Sequence, residues 1–326
     1  MTSNTLVSII IPAFNEQSSI KRALKSAMSQ SLREIEIIVV NDASTDKTSS
    51  IVKDLSTSEG RIKLVTHDTN KGLSHSRISG INAATGSHIM FLDADDYLQP
   101  MAAERLLQKS QETGADIVMM GTRRIVQSLR LPLPLFSPAK YFTDESMCPT
   151  MLIGALLSKR GLPLSLCDKL YSRQLLIDAQ LNATADFYGE DMLSNLRIFS
   201  IAKKFAWVDY VGYNYLTGGK SALSPTKLWI KDKELYYSCR KLLSDLKIDS
   251  SENIQALNQG ALNALMSAIA RQLCNPFSSR KKIEQWVDQQ LNEMPELAID
   301  ANSLMSLAKQ DLKRHRAFYY MSLLIG

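Results

Sequence analysis

The chain has 326 residues, room for one large domain or two of medium size, and 45% of them are apolar, an ordinary share for a protein with a real core. The net charge of +5 is mild and creates no demand for a nucleic-acid partner. The four cysteines, Cys148, Cys167, Cys239 and Cys274, are scattered without CxxC pairing and read as reduced thiols of a cytosolic protein, not as a metal or disulfide framework.

Met1 to Thr5 is polar and lacks a signal-peptide pattern, and no apolar run reaches membrane-spanning length, so the expected location is the cytoplasm. Val7 to Ile11 reads as a buried strand stopped by Pro12, and Ile20, Leu24, Ala27 and Met28 recur at helical spacing. Ile35 to Val40 is a second strand, ending in Asn41-Asp42. Ser44-Thr45-Asp46 offers an N-cap before Ile51, Val52 and Leu55. A weaker third strand covers Arg61 to Thr66, a helix Gly72 to Ala84, and a fourth strand His88 to Leu92. Helix Met101 to Thr113 and strand Asp116 to Met120 continue the alternation. A repeated βα pattern implies a mainly parallel sheet with helices on both faces, and such sheets bind ligands beyond the carboxyl ends of their strands. Residues 122–165, with Pro132, Pro134 and Pro138, read as irregular, and residues 166–217 as mixed structure with a helix starting near Glu190. Beyond Pro225 the spacing is entirely helical. The last helix, Asp311 to Ile325, carries Lys313, Arg314 and Arg316 ahead of aromatic and aliphatic residues. That pattern suits either core packing or an anionic membrane interface.

The sharpest chemical signal is Asp93, Asp95 and Asp96 at the end of the fourth strand. Acids crowded at a strand end repel one another unless a cation sits between them, and Mg²⁺ or Mn²⁺ suits carboxylate oxygens with phosphate as co-ligand. Alternation puts Asp93 and Asp95 on one face. A second acid pair, Glu190-Asp191, opens a helix whose positive end favours carboxylates, with Gly189 permitting a tight approach. The plainer reading of that pair is a helix cap. No Gly-x-Ser-x-Gly elbow supports a hydrolase, and the histidines form no pair at metal-ligand spacing.

Val-Ser-Ile-Ile-Ile-Pro-Ala-Phe-Asn-Glu (7–16), Val-Val-Asn-Asp-Ala-Ser-Thr-Asp (39–46), Asn-Lys-Gly-Leu-Ser-His-Ser-Arg (70–77), Ala-Thr-Gly (84–86) and Leu-Asp-Ala-Asp-Asp (92–96) resemble, in order and spacing, the motifs of family 2 glycosyltransferases with the GT-A fold. The resemblance is dense over residues 7–100 and thinner to about 221. It implies a GT-A domain over 1–221, with a nucleotide-sugar half at 1–100 and an acceptor half at 101–221, and a helical region at 222–326. It implies a nucleotide-binding set of Pro12, Ala13, Asn15, Glu16, Asp42, Arg77 and Asp93, with Asp42 accepting from the uracil N3–H and Glu16 near the ribose. It implies a metal site of Asp95 and Asp93 with Asp96, and a catalytic base at Asp191, with Glu190 as the alternative. Adjacent helical residues point in different directions, so only one of that pair is expected to serve. Lys169, in Lys-Leu-Tyr (169–171), and Lys220, in a segment where relatives often carry arginine, are candidates for the acceptor or the diphosphate.

The reading that follows is an inverting transferase with Mn²⁺ or Mg²⁺. It moves a hexose or N-acetylhexosamine from a UDP-sugar to a hydroxyl of a bacterial surface glycan, free or lipid-linked, in capsule, lipopolysaccharide or exopolysaccharide. The rivals are a glycan-binding or scaffolding relative without catalysis and, against the Pro-Ala-Phe-Asn-Glu segment, a sugar-nucleotide pyrophosphorylase. Contact with the inner membrane face through the last helix stays open, and the oligomeric state is not encoded in these motifs.

Overall fold

The computed structural model describes residues 5–126, 131–132, 136–138, 142, 146–158, 163–181, 189–217, 225–274 and 279–310. Lys220, the expected boundary at 221/222 and the helix expected from Asp311 lie outside these residues. The chain divides into two compact units. One comprises Met1–Leu152 with Pro163–Thr217, and the other Ile153–Leu162 with Gly218–Gly326.

The first unit opens with β1 (Val7–Ala13), α1 (Ile20–Met28), β2 (Ile35–Asn41), α2 (Thr48–Ser58), β3 (Ile62–Thr66), α3 (Leu73–Ala83) and β4 (His88–Phe91). β1 pairs in parallel with β2 and β4, and β2 with β3. Every residue of β1 and β2 is buried, as strands covered on both faces must be. Right-handed crossovers put α1 and α2 on one face of the order β3-β2-β1-β4 and α3 on the other. The order reverses at β1, so the crevice beyond β1, β2 and β4 is the expected ligand site.

Pro12 does not stop β1. It pairs in register with Val40 inside the strand. The Ile10 carbonyl accepts from Leu92 N–H on the β4 side, and Pro12, two residues on, faces that same side. The β1–β4 ladder ends at Ile10 opposite Phe91, so the donor that proline lacks is not missed.

The second half follows with β5 (Tyr97–Leu98), α4 (Ala102–Thr113), β6 (Ile117–Val126), β7 (Leu131–Pro132) and β8 (Ser146–Met147). After α5 (Ile153–Leu157), which belongs to the second unit, come β9 (Lys169–Ser172), α6 (Arg173–Asp178), α7 (Glu190–Ile201) and β10 (Phe205–Thr217). β9 runs antiparallel between β4 and β6, so the parallel half continues into a mixed one, in the order β3-β2-β1-β4-β9-β6-β10-β5. The segment read as irregular, 122–165, therefore contains the end of β6, two short strands and a helix. Pro132 sits in β7, which among the described residues pairs with the end of β6 alone. β10 shifts register twice between Trp207 and Tyr213, then pairs with β5 and the end of β6. That bulge carries Tyr213 and Leu216 to the acids after β4.

The second unit is helical, as the spacing implies: α5, α8 (Pro225–Asp245), α9 (Ser251–Cys274), α10 (Arg280–Glu293), a short turn at Pro295–Leu297, and helical residues 301–310. Trp229 of α8 is fully buried, and its indole N–H donates to Gln290 of α10 at 2.8 Å. Where α5 meets α9 the backbones nearly touch, since a Cβ on Gly260 would lie 2.1 Å from the Leu157 carbonyl oxygen. Among the described residues no helix is long and apolar enough to cross a membrane.

Candidate active site

The loops after β1 and β2 lock into each other. Asn15 and Ala43 both take positive φ, 57° and 58°. Asn15 N–H donates to Ser44 Oγ at 3.0 Å, and Thr45 N–H donates to Asn15 Oδ1 at 2.9 Å. Glu16 N–H donates to Thr48 Oγ1 at 2.8 Å, and the Glu16 carboxylate accepts from Ser19. Of the expected nucleotide set, Pro12 and Ala13 are therefore buried in β1, and the Asn15 side chain is spent on the neighbouring turn. Phe14, 45% exposed on this rim, is an aromatic beside the polar residues of the two loops.

Asp42, one residue past β2, is 3% exposed. Its Oδ1 lies 2.6 Å from His67 Nδ1 and accepts from Lys71 N–H at 2.9 Å, while Oδ2 accepts from Gly72 N–H at 2.8 Å. His67 follows β3 directly, and its Nε2 meets Ser79 Oγ of α3 at 2.8 Å. The sequence reading gave His67 no role. Its place one residue beyond a strand, on the same sheet edge as Asp42, was the available signal.

Arg77 of α3 is buried beneath the crevice and gathers its acids. Nη1 donates to Glu190 Oε1 at 3.1 Å and to Asp191 Oδ1 at 2.5 Å, and Nη2 donates to Asp93 Oδ1 at 3.3 Å. The guanidinium also lies 5.8 Å from the Phe91 ring centroid. Burial alone would lower its proton affinity, but Asp191, Asp93, Cys167 and Glu190 outweigh that and hold it well above the ordinary range. Arg77 is thus a fixed cation at the base of the site, not a solvated surface residue.

Gly189, at φ 87°, takes the left-handed turn that starts α7. Both acids of the first helical turn then reach the same guanidinium nitrogen. The flexible Glu190 side chain folds back to Arg77, so both acids gather there although adjacent helical residues point in different directions. The two still differ. Glu190 also accepts from Ser74 Oγ at 2.7 Å, and its side chain is 14% exposed against 27% for Asp191. Burial, with Asp191 and Asp93, pushes the Glu190 carboxyl up against the pull of Ser74 and Arg77.

The three acids after β4 separate. Asp93 and Asp95 face the open side, and Arg22 binds the Asp95 carbonyl. Partial burial, then the charges of Asp93 and Glu16, push the Asp95 carboxyl up. Asp96, expected as a third metal ligand, turns inward and is fully buried. It accepts from Tyr213 O–H at 2.6 Å and from Leu216 N–H at 2.8 Å. Burial pushes its carboxyl up to about 8, and both of its oxygens are spent on these inward donors, away from the open side. Lys169 is likewise withdrawn. It is fully buried, with Nζ donating to Asp168 Oδ1 and Ser165 O, both at 2.6 Å, and to Pro163 O at 3.4 Å. Its three donors are used, so it holds the fold and does not reach substrate.

Asp93, Asp95, Glu190 and Asp191 thus stand against two cations among the described residues, Arg77 beneath them and Arg22 at Asp95. A diphosphate entering here adds negative charge to a surplus of acid. That imbalance fits a divalent cation held by one or two carboxylates together with phosphate oxygens, the usual habit of Mg²⁺. Among the described residues no three acid, histidine or cysteine groups stand together so as to hold a metal ion by themselves.

Residues 8–173 match glycosyl transferase family 2. An uncharacterized glycosyltransferase of Bacillus subtilis, EpsJ, is 32% identical over 211 residues, which cover 64% of this chain and 60% of that protein. A Campylobacter jejuni enzyme, GalNAc(5)-diNAcBac-PP-undecaprenol beta-1,3-glucosyltransferase, is 37% identical over 112 residues, 34% of this chain and 36% of that protein. Both matches span less than two thirds of the relative's own length. The structure of S. aureus TarS 1–349 bound to UDP-GlcNAc aligns with a TM-score of 0.61 and 18% identity, covering 96% of this chain and 91% of that one. At that identity the likeness is one of fold, and it agrees with the α/β architecture and helical C-terminal region read from the sequence.

Proposed function

The chain belongs to glycosyl transferase family 2, and we propose that it transfers a hexose or N-acetylhexosamine from a UDP-sugar to a hydroxyl of a bacterial surface glycan, with inversion at C1. One observation carries the reading: a single buried guanidinium, Arg77, gathers Asp93, which follows β4, and Asp191, which opens α7. Asp42 accepts from the base edge and Glu16 lies by the ribose. The acceptor oxygen attacks C1 from the face opposite the diphosphate. The new C1–O bond forms as the bond from C1 to the diphosphate oxygen breaks, and the acceptor proton passes to Asp191. Asp191 is the better base because it is the more open of the pair and lacks the Ser74 bond. Asp95 and Asp93 would hold Mn²⁺ or Mg²⁺, and the cation would supply Lewis-acid stabilisation of the charge growing on the leaving diphosphate.

The names and ligands of the similar proteins support the substrate classes: TarS was crystallised with UDP-GlcNAc, and the Campylobacter enzyme's name describes a diphosphate-undecaprenol-linked glycan. A lipid-linked acceptor would bring the work to the inner face of the cytoplasmic membrane. The test is UDP release from a panel of UDP-sugars with Mn²⁺, with and without chelator. At least one sugar should give release that chelator abolishes. Asp95→Asn should lose UDP binding at an unchanged melting temperature, whereas Asp96→Ala should lower that temperature. A protein that binds no UDP-sugar under any of these conditions sinks the reading.

A further inference from the structure

Asp42 is the acid assigned to the base edge, and three N–H donors already engage it. A carboxylate offers about four lone-pair directions. His67 Nδ1, at 2.6 Å, and Lys71 N–H, at 2.9 Å, take both on Oδ1, and Gly72 N–H, at 2.8 Å, takes one on Oδ2. One direction on Oδ2 is left. The two amides come from a single turn and by themselves would let the carboxylate tilt with it. His67 comes from a different element, the end of β3, and is nearly buried. Its ring is fixed from behind by Ser79 Oγ of α3, 2.8 Å from Nε2, and its own N–H is held by the Asn41 carbonyl at 3.0 Å.

Asp42, His67 and Ser79 stand in the order of a hydrolase triad. Ser79, however, lies in the middle of α3, not on a strand-to-helix elbow, so the chain ends in a helical hydroxyl that anchors the ring.

We propose that His67 is a positioning residue for nucleobase choice: it clamps Oδ1 so that the remaining acceptor direction of Asp42 meets a base N–H, selecting uracil over cytosine. The inference rests on the reading of Asp42 as the base acceptor. Uracil presents N3–H, whereas cytosine presents a bare N3 that a fixed acceptor repels. A carboxylate free to rotate would discriminate less, because it could turn its edge away from the cytosine lone pair.

The experiment is a competition assay of UDP and CDP against the full chain, with melting temperatures recorded in parallel. The wild-type protein should favour UDP by roughly tenfold or more, the worth of one hydrogen bond to a charged group. Asp42→Ala should narrow that ratio. His67→Phe keeps the ring shape without its nitrogens and should bring the ratio toward one. His67→Asn, whose amide can still donate to Oδ1, should restore most of it. If Asp42→Ala narrows the ratio but His67→Phe lowers only the melting temperature, His67 is a structural pin and the inference is overturned alone. If the wild-type protein binds UDP and CDP equally, the Asp42 reading fails and takes this one with it. Should His67→Phe not fold, Ser79→Ala decides. It suits a helix, unpins the ring and should narrow the ratio severalfold; an unchanged ratio there also overturns the proposal.

Discussion

Asp191 and Glu190 meet one guanidinium nitrogen, so their roles divide by what else each touches. Glu190 is tied to Ser74 as well as Arg77, while Asp191 is tied to Arg77 and stands more open. Asp191→Asn keeps shape and loses the proton acceptor. It should bind UDP-sugar normally and transfer roughly 10²–10⁴-fold more slowly, the usual worth of a general base. Glu190→Gln should cost less turnover and disturb donor binding more, since it loosens Ser74 at the start of α3. Steady-state transfer beside calorimetric UDP-sugar binding separates them, and a dead Glu190→Gln with an active Asp191→Asn would reverse the assignment. The acids themselves were readable in the sequence because strand ends and helix starts are the places where carboxylates collect. Their partners were not. β4 ends at Phe91, so strand alternation does not reach these acids, and nothing in the sequence shows Tyr213 waiting for Asp96 from 117 residues away. Lys169 reads as a surface lysine or a phosphate ligand, because a buried partner such as Asp168 is indistinguishable from an exposed one until the fold is known.

Long apolar runs make elements legible, as β1, β2 and β4 show. β5, β7 and β8, of two residues each, carry no periodicity and exist only because longer strands receive them. The Ala-Thr-Gly motif at 84–86 belongs to this scale. Its donors close on Glu36, the one acid inside β2. Glu36 Oε1 accepts from Ser8 Oγ at 2.6 Å, Thr85 N–H at 2.6 Å and Gly86 N–H at 3.2 Å, and Oε2 accepts from Lys63 Nζ at 2.6 Å. Burial alone would raise its proton affinity. The Lys63 ammonium and the donors from Ser8 and Thr85 outweigh that and hold the carboxyl at about 2 against an ordinary 4.5. A folded value below the unfolded one means stability that is fully present above pH 4.5 and lost as the pH falls toward 2. The shift corresponds to about 3 kcal/mol at neutral pH. Glu36→Gln should therefore melt well below the wild-type protein at pH 7, and the gap should shrink steadily between pH 4.5 and 2. A gap that stays constant across that window would mean that the carboxylate network contributes through shape alone.

At the scale of the whole chain, the helical C-terminal region was legible from its spacing, but its claim on the middle of the sequence was not. Residues 153–162 group with 218–326, so the chain leaves the first unit after Leu152 and returns at Pro163. Helix α5 makes this physical: Ile153, Leu156 and Leu157 are each about 1% exposed, and the Leu157 carbonyl lies against Gly260 of α9. A chain cut after Thr217 removes α9 and leaves those three aliphatic side chains bare, each worth roughly 1.5–3 kcal/mol of burial. Such a truncation should bind a hydrophobic dye and aggregate. The same truncation with residues 153–162 replaced by a short Gly/Ser linker removes the exposed helix, and it should stay monomeric and still bind UDP, because Asp42, Arg77, Asp93 and Asp191 all belong to the first unit. Size-exclusion chromatography with dye fluorescence and UDP calorimetry on the two truncations distinguishes the outcomes. A simple cut at Thr217 that remains monomeric would show that α5 does not depend on α9 for its cover. If the linker variant aggregates too, the surface that needs protecting lies elsewhere on the first unit.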